Sequence, residues 1–248
     1  MKGLTLKKTI TLLTLILTLA NADFETNFKK SIKELTDIDV QVQFKKELVS
    51  FPSSFFVIGK TKGGDIFPVI VNKEGNYFIG LSNVLNLSQA DSTMIKEEIT
   101  KATLVKEEQD TLALNKLFKS FKKTDFVYLA GNGENLPTKF VITDPDCPYC
   151  REHLKNIEKD LEESNLKLIF APVHDKKAFI KAQLIMQEIA KLPKANTQTK
   201  INILRKYYQD FELNNQQLKT DYSQITANTK KIFDSGIVRG VPFIFEER

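Results

Sequence analysis

The stretch Phe140-Val-Ile-Thr-Asp-Pro-Asp-Cys147-Pro-Tyr-Cys150-Arg-Glu-His153 passes from an apolar strand through an Asp-Pro turn into a helix. Its two cysteines are the only ones in 248 residues. A disulfide between them closes so small a ring that it adds little loop-closure stability, so the pair is read for its chemistry. Leu154, Ile157 and Leu161 follow Cys150 at steps of four, three and four, which places Cys147 at the start of an amphipathic helix. The first turn of a helix presents unpaired N–H groups and the positive end of the macrodipole, and both favour a thiolate over a thiol. Cys150 sits one turn deeper on the apolar stripe and is expected to be the less exposed sulfur. Cys147 is thus the expected attacking thiol, and Cys150 the one that resolves the mixed disulfide. Pro148 suits the first turn, where a missing N–H costs nothing.

Two other readings compete. The Cys-x-x-Cys spacing serves equally as half of a zinc site, with His153 or His174 as further ligands, and such a site would use every cysteine and histidine in the chain. An inert cysteine pair is the second. Redox chemistry is preferred to both. Asp146, directly before Cys147, can cap the helix, while its charge opposes the thiolate. Asp146→Asn is therefore expected to favour the Cys147 thiolate and to make the disulfide more oxidising. His153, one turn past Cys150, is a candidate cation beside the thiolate, and His174, at a strand end, a weaker one. For both, the competing reading is an ordinary solvated histidine.

The N-terminus carries a different signal. Lys2, Lys7 and Lys8 precede an apolar run from Ile10 to Ala20 that ends in Ala20-Asn21-Ala22. A basic start, a short apolar run and a small-residue site read as a cleavable secretory signal over 1–22. The run falls short of the roughly 20 residues that span a bilayer. The expectation is export to an oxidising compartment. The formal net charge is +5, and three of those charges belong to the signal, leaving +2. No strong basic field remains for nucleic acid, and lysines and glutamates are interspersed as on solvated faces.

The rest divides by type. Phe24, Phe28, Ile32 and Leu35 predict a short amphipathic helix over 23–35. Strand-like segments follow at Ile38–Leu48, Phe55–Gly59, Ile66–Val71 and Tyr77–Leu81, with turns at Gly63-Gly64 and Glu74-Gly75-Asn76. This α+β unit is near the size at which a lone domain is marginal, which suggests pairing with a second copy. From Ser88 to about Lys123 there is neither Gly nor Pro, and apolar residues recur at helical spacing. Such a helix could reach ~45 Å and act as a strut. Beyond it, strands at Phe126–Ala130, Lys139–Thr143, Leu166–Val173 and Val241–Phe245 alternate with helices at Lys176–Lys191, Thr197–Phe211 and Asn215–Phe233. That order predicts an α/β layer.

Thr143-Asp144-Pro145-Asp146-Cys147-Pro148-Tyr149-Cys150, with the late Gly240-Val241-Pro242, resembles the thioredoxin-fold domain of the periplasmic disulfide isomerases of the DsbC/DsbG family. Asp144, three residues before the first cysteine, and the Cys-Pro-Tyr-Cys tetrad with Tyr149 resemble the DsbG branch most. The resemblance covers the whole mature chain and implies an α+β protein of four parts. These are a signal at 1–22, a strand-rich dimerisation domain at 23–88, a linker helix at 89–123 and a thioredoxin-like catalytic domain with inserted helices at 124–248. It implies a V-shaped homodimer whose cleft holds misoxidised exported proteins, with no bound cofactor. A membrane partner, a DsbD-like reductase or a DsbB-like oxidase, would reset the pair. Pro242 maps onto the family's cis-proline, which would present the Val241 backbone beside Cys147.

Three departures accompany the resemblance. Val241 stands where the isomerases usually carry Thr and the DsbA oxidases Val, so an oxidase stays open as an alternative, as does a cleft chaperone. Six residues follow Pro242, where the family adds a strand and a helix, so the sheet is expected to lack an edge. The additional disulfide of some members is absent, because no other cysteine exists.

Overall fold

The computed structural model describes residues 23–81 and 86–247. The proposed signal at 1–22 lies outside the described residues. The chain divides into two compact units between Gln109 and Asp110. That division falls inside one continuous helix, α2 (Gln89–Lys119).

In the first unit, helix α1 (23–36) precedes four strands: β1 (Val40–Glu47), β2 (Ser54–Thr61), β3 (Ile66–Asn72) and β4 (Phe78–Gly80). They form an antiparallel meander in chain order, with a bulge between Val42 and Phe44. Successive residues of a strand point to opposite faces, and here both faces are covered. Val57, Val69 and Val71 pack with Phe24, Phe28 and Ile32 of α1. Their neighbours Phe56, Ile58 and Ile70 pack instead with Met94, Ile95, Ile99 and Ala102 of α2. Leu35 belongs to the predicted stripe of α1 but is exposed, in the last turn before the chain reverses at Asp37 with φ 57°.

Asp91 fastens the start of α2 to the β1–β2 connection. Its buried carboxylate accepts the backbone N–H of Val49 at 3.1 Å and of Ser50 at 2.6 Å. Burial alone would push this carboxyl up, but the hydrogen bonds from Ser50, Val49 and Ser88 prevail and hold its pKa at about 2.

The second unit is built on a mixed sheet of β5 (Val127–Leu129), β6 (Thr138–Thr143), β7 (Asn165–Phe170) and β8 (Phe243–Glu246), in the order β5-β7-β6-β8. β6 and β7 are parallel, and the other pairings are antiparallel. The strands on either side of the Gly131–Gly133 turn therefore do not pair, because β7 lies between them. α3 (Pro148–Lys155) and α4 (Ile157–Glu163) make the crossover from β6 to β7. They are followed by α5 (Lys176–Ala190), α6 (Thr197–Tyr208) and α7 (Ser223–Phe233). The last predicted helix is split, with a 3-10 turn at Gln217–Lys219 ahead of α7.

Strand alternation again sorts the core. Val141, Leu168 and Phe170 face Leu154, Ile157, Leu161, Ala182 and Leu204, whereas Phe140, Ile142 and Ile169 face Phe118, Ile232 and Val238. The helix predicted to run on from Cys150 is broken at Asn156, with φ −106° and ψ 10°. Leu154, Ile157 and Leu161 are buried despite the break. Among the described residues no helix is long and apolar enough to cross a membrane.

Candidate active site

β6 delivers the motif at the end of a central strand, the usual place for a site in an α/β sheet. The chain turns there because Cys147 N–H reaches back to Asp144 O at 3.2 Å, and α3 begins as Arg151 N–H bonds Cys147 O at 3.0 Å. Cys147 is the N-cap residue of α3 and Pro148 takes the first helical position. Both cysteines are free thiols. Cys147 retains 4% exposure and Cys150 none, while Tyr149 between them is 76% exposed. The expected order of exposure holds, though by a small margin.

The Val241–Pro242 peptide is cis, and the Cys147 thiol donates to the Val241 carbonyl at 3.5 Å. Residues 94 positions apart are thus brought together at the helix tip. Behind them, burial pushes the Cys150 thiol up to about 12, and the Thr143 hydroxyl and the Asp144 backbone offset only part of that rise. Thr143 Oγ1 and Tyr208 Oη lie 2.7 Å apart in the same buried layer. Burial, the largest influence, also raises the Tyr208 phenol well above its ordinary value, so it stays neutral.

The two aspartates of the motif have separate partners. Asp144 is fully buried, and its Oδ1 accepts Asp146 N–H at 2.8 Å. Its Oδ2 accepts the N–H of Val173 at 2.9 Å and of His174 at 3.3 Å, and meets His174 Nδ1 at 2.6 Å. Asp144 thereby ties the loop after β7 to the motif. The expectation that Asp146 caps the helix is corrected. Its Oδ1 instead takes Arg151 Nη2 at 2.8 Å and Lys181 Nζ at 2.6 Å, two cations that outcompete neutral backbone donors.

His153 is corrected as well. Its Nε2 lies 2.8 Å from Asp160 Oδ2 across the α3–α4 break, so the ring is directed to that carboxylate rather than to the cysteines. His174 is likewise held, by Asp144. Among the described residues no three His, Cys, Asp or Glu side chains gather as a metal site would require. Sequence reasoning missed Thr143, Tyr208, Arg151 and Lys181. For Lys181 a signal existed, a lysine on the apolar stripe that Ala178, Ala182 and Ile185 define on α5.

Comparison with known proteins adds an independent line. Residues 28–114 match the family described as disulfide isomerase DsbG, N-terminal. Among solved structures, Helicobacter pylori DsbG is 25% identical, over 89% of this chain and 99% of that one, with a TM-score of 0.53. The catalytic domain of Proteus mirabilis ScsC is 15% identical, over 55% of this chain and 85% of that one, with a TM-score of 0.42. The thiol-disulfide exchange protein alpha-DsbA2 of Wolbachia pipientis is 14% identical, over 56% and 87%, with a TM-score of 0.38. No curated protein matches the chain. The fold and the DsbG match define a thiol–disulfide oxidoreductase. Residues 28–114 thus match a DsbG-type N-terminal domain, and the chain is similar to the disulfide isomerases of the DsbC/DsbG family.

Proposed function

We propose that the protein rearranges or reduces wrongly formed disulfides in exported proteins, in the periplasm, through Cys147 and Cys150. One observation carries this reading. The Cys147 sulfur lies at the N-cap of α3 against the Val241 carbonyl of a cis Val–Pro peptide, with Cys150 wholly buried one turn behind.

The Cys147 thiolate attacks one sulfur of a substrate disulfide, and the other substrate sulfur leaves as a thiolate. In isomerisation a second substrate thiolate attacks the substrate sulfur of the mixed disulfide. A new substrate disulfide forms, Cys147 leaves as a thiolate, and no net electrons move. In reduction Cys150 gives its proton to solvent and attacks Cys147, so the substrate gains two electrons and the enzyme becomes a disulfide. A membrane reductase of the DsbD type then restores the dithiol. No bound cofactor takes part in this scheme. Pro148 presets the first turn, Tyr149 offers an exposed ring to the substrate, and Pro242 presents the Val241 backbone to an extended substrate strand.

The first unit is the proposed dimerisation domain. An open apolar groove of about 470 Å³, lined by Ile38, Val40, Phe67, Pro68, Phe78 and Leu81, favours cover by a second copy. Export would follow cleavage after Ala22. Val241 favours a second reading, a disulfide-forming oxidase reset by a DsbB-like partner.

Refolding assays separate these. The wild type should restore scrambled ribonuclease faster than it oxidises reduced ribonuclease, and the reverse order would favour the oxidase. Cys147→Ala should lose all exchange, and retained exchange would refute the site. Suppression of aggregation that survives Cys147→Ala would mark a chaperone contribution.

A further inference from the structure

Lys181 is an expensive residue to keep where it stands. It is 0% exposed on α5, with Nζ 2.6 Å from Asp146 Oδ1, 2.8 Å from Gln209 O and 4.9 Å from the centre of the Phe211 ring. A buried ion pair costs several kcal/mol in desolvation, and an apolar residue of similar size is often equally stable or better. Packing alone therefore does not account for a lysine at this point.

Its placement offers an account. Asp146, 13% exposed, is bonded to Cys147 through the backbone, so its carboxylate would oppose a negative sulfur. A single oxygen of that carboxylate serves two cations, Lys181 and Arg151. Arg151 is also oriented by Pro145 O, which accepts its Nε–H at 3.1 Å. One negative charge shared by two positive ones leaves a surplus of positive charge beside the N-cap of α3. In a poorly solvated setting that surplus acts over several ångströms.

The other ionisable groups around the motif are held by partners of their own. On the loop, the Asp144 carboxylate is satisfied by the Val173 and His174 N–H groups and the His174 ring. On α3, Cys150 is held as a thiol by burial. On α6, Tyr208 remains a neutral phenol. Asp210, just beyond α6, is exposed and pairs first with Lys177 at 3.2 Å, and more weakly feels Lys181 and Arg151 through solvent.

We propose that Lys181, acting through Asp146 together with Arg151, is a positioning residue that converts the motif's acidic neighbour into a net cationic one and so favours the Cys147 thiolate. The inference rests on the thiol-exchange reading above and deepens it. It keeps the sequence expectation for Asp146→Asn and adds two cations that offset the carboxylate in place.

The test is a pH titration of thiolate absorbance in the whole reduced protein, paired with the equilibrium of the disulfide against glutathione. Lys181→Met should move the absorbance midpoint upward and make the disulfide about three- to tenfold less oxidising. Asp146→Asn should move both the opposite way, and Asp146→Asn with Lys181→Met should return to within about threefold of the wild type. If Lys181→Met does not fold, Arg151→Gln, at a partly exposed position, should show the same sign with a smaller shift. Variants that lose stability while midpoint and equilibrium stay at the wild-type values would reduce Lys181 to a structural anchor and overturn the inference. A wild type with neither a thiolate signal nor glutathione exchange would instead overturn the proposed function.

Discussion

Cys147→Ala leaves Cys150 as the chain's single thiol and tests how silent that sulfur is. Burial pushes Cys150 from 9.0 to about 12, and its partner sulfur adds only a minor part of the rise, so the shift should survive the substitution. Three pH units mean about a thousandfold less thiolate at neutral pH. A more basic thiolate is intrinsically the better nucleophile, and a Brønsted slope of about 0.4–0.5 returns about 15- to 30-fold. The net expectation is alkylation about 30- to 60-fold slower than that of a cysteine in an unfolded peptide, before any steric block. Iodoacetamide at pH 7.5, followed by intact mass, reads this directly. Denaturant should abolish the difference, and Cys150→Ala should alkylate at least as fast as the peptide, through Cys147. A Cys147→Ala protein that reacts within about threefold of the peptide would refute the assignment of Cys150 as the withheld thiol. An unreactive Cys150→Ala protein would show that the small accessible area of Cys147 does not admit a reagent.

Three further outcomes follow from particular contacts. Thr143→Val keeps the volume but removes a donor to Cys150, and loss of one hydrogen bond of about 1 kcal/mol should lengthen the life of a trapped mixed disulfide about fivefold. Asp91, held at about 2 against an unfolded value near 3.8, contributes about 2.5 kcal/mol to the first unit. That contribution is fully present above about pH 4 and is lost as pH falls through about 2, so Asp91→Asn should speed hydrogen exchange of β2 amides strongly at pH 7 and far less at pH 2. Gly59→Ala would place a methyl 2.2 Å from the Phe67 ring across the β2–β3 pair, so the midpoint of thermal unfolding should fall by an amount equivalent to about 1–3 kcal/mol.

What the residues disclose in advance is what depends on near neighbours in the chain. The strands of the first unit and the helix through Ala102 are legible because periods of two and 3.6 are local properties of backbone geometry. Cys147 at a helix start is legible for the same reason, since Pro148 and the stripe through Leu154 lie within a few turns. Pairing is not local, and so β5 and β6, which flank a short glycine turn, take β7 as their common neighbour. Asn156 conceals its helix break because Leu154, Ile157 and Leu161 keep helical spacing across it and are all buried. The cis bond at Pro242 followed only from the family resemblance, since Val241 and Cys147 are brought together by tertiary structure alone. Lys181 lies 35 residues from Asp146, and a lysine on an apolar stripe becomes meaningful only once its partner is known.

The two sulfurs differ by three positions, yet their surroundings sort them by charge. On the side of Cys147 stand a helix N-terminus and a carboxylate bonded by both Lys181 and Arg151. On the side of Cys150 stand Thr143 and Tyr208, hydroxyls that can donate or accept but carry no charge, in a layer from which water is excluded. A thiolate is therefore costly at Cys150 until the moment of resolution. On the proposed function, a withheld Cys150 would let a substrate remain bonded to Cys147 long enough to exchange its own sulfurs. Were Cys150 as acidic as an exposed thiol, it would displace the substrate sooner, and the balance of the proposed activity would shift from rearranging disulfides towards reducing them.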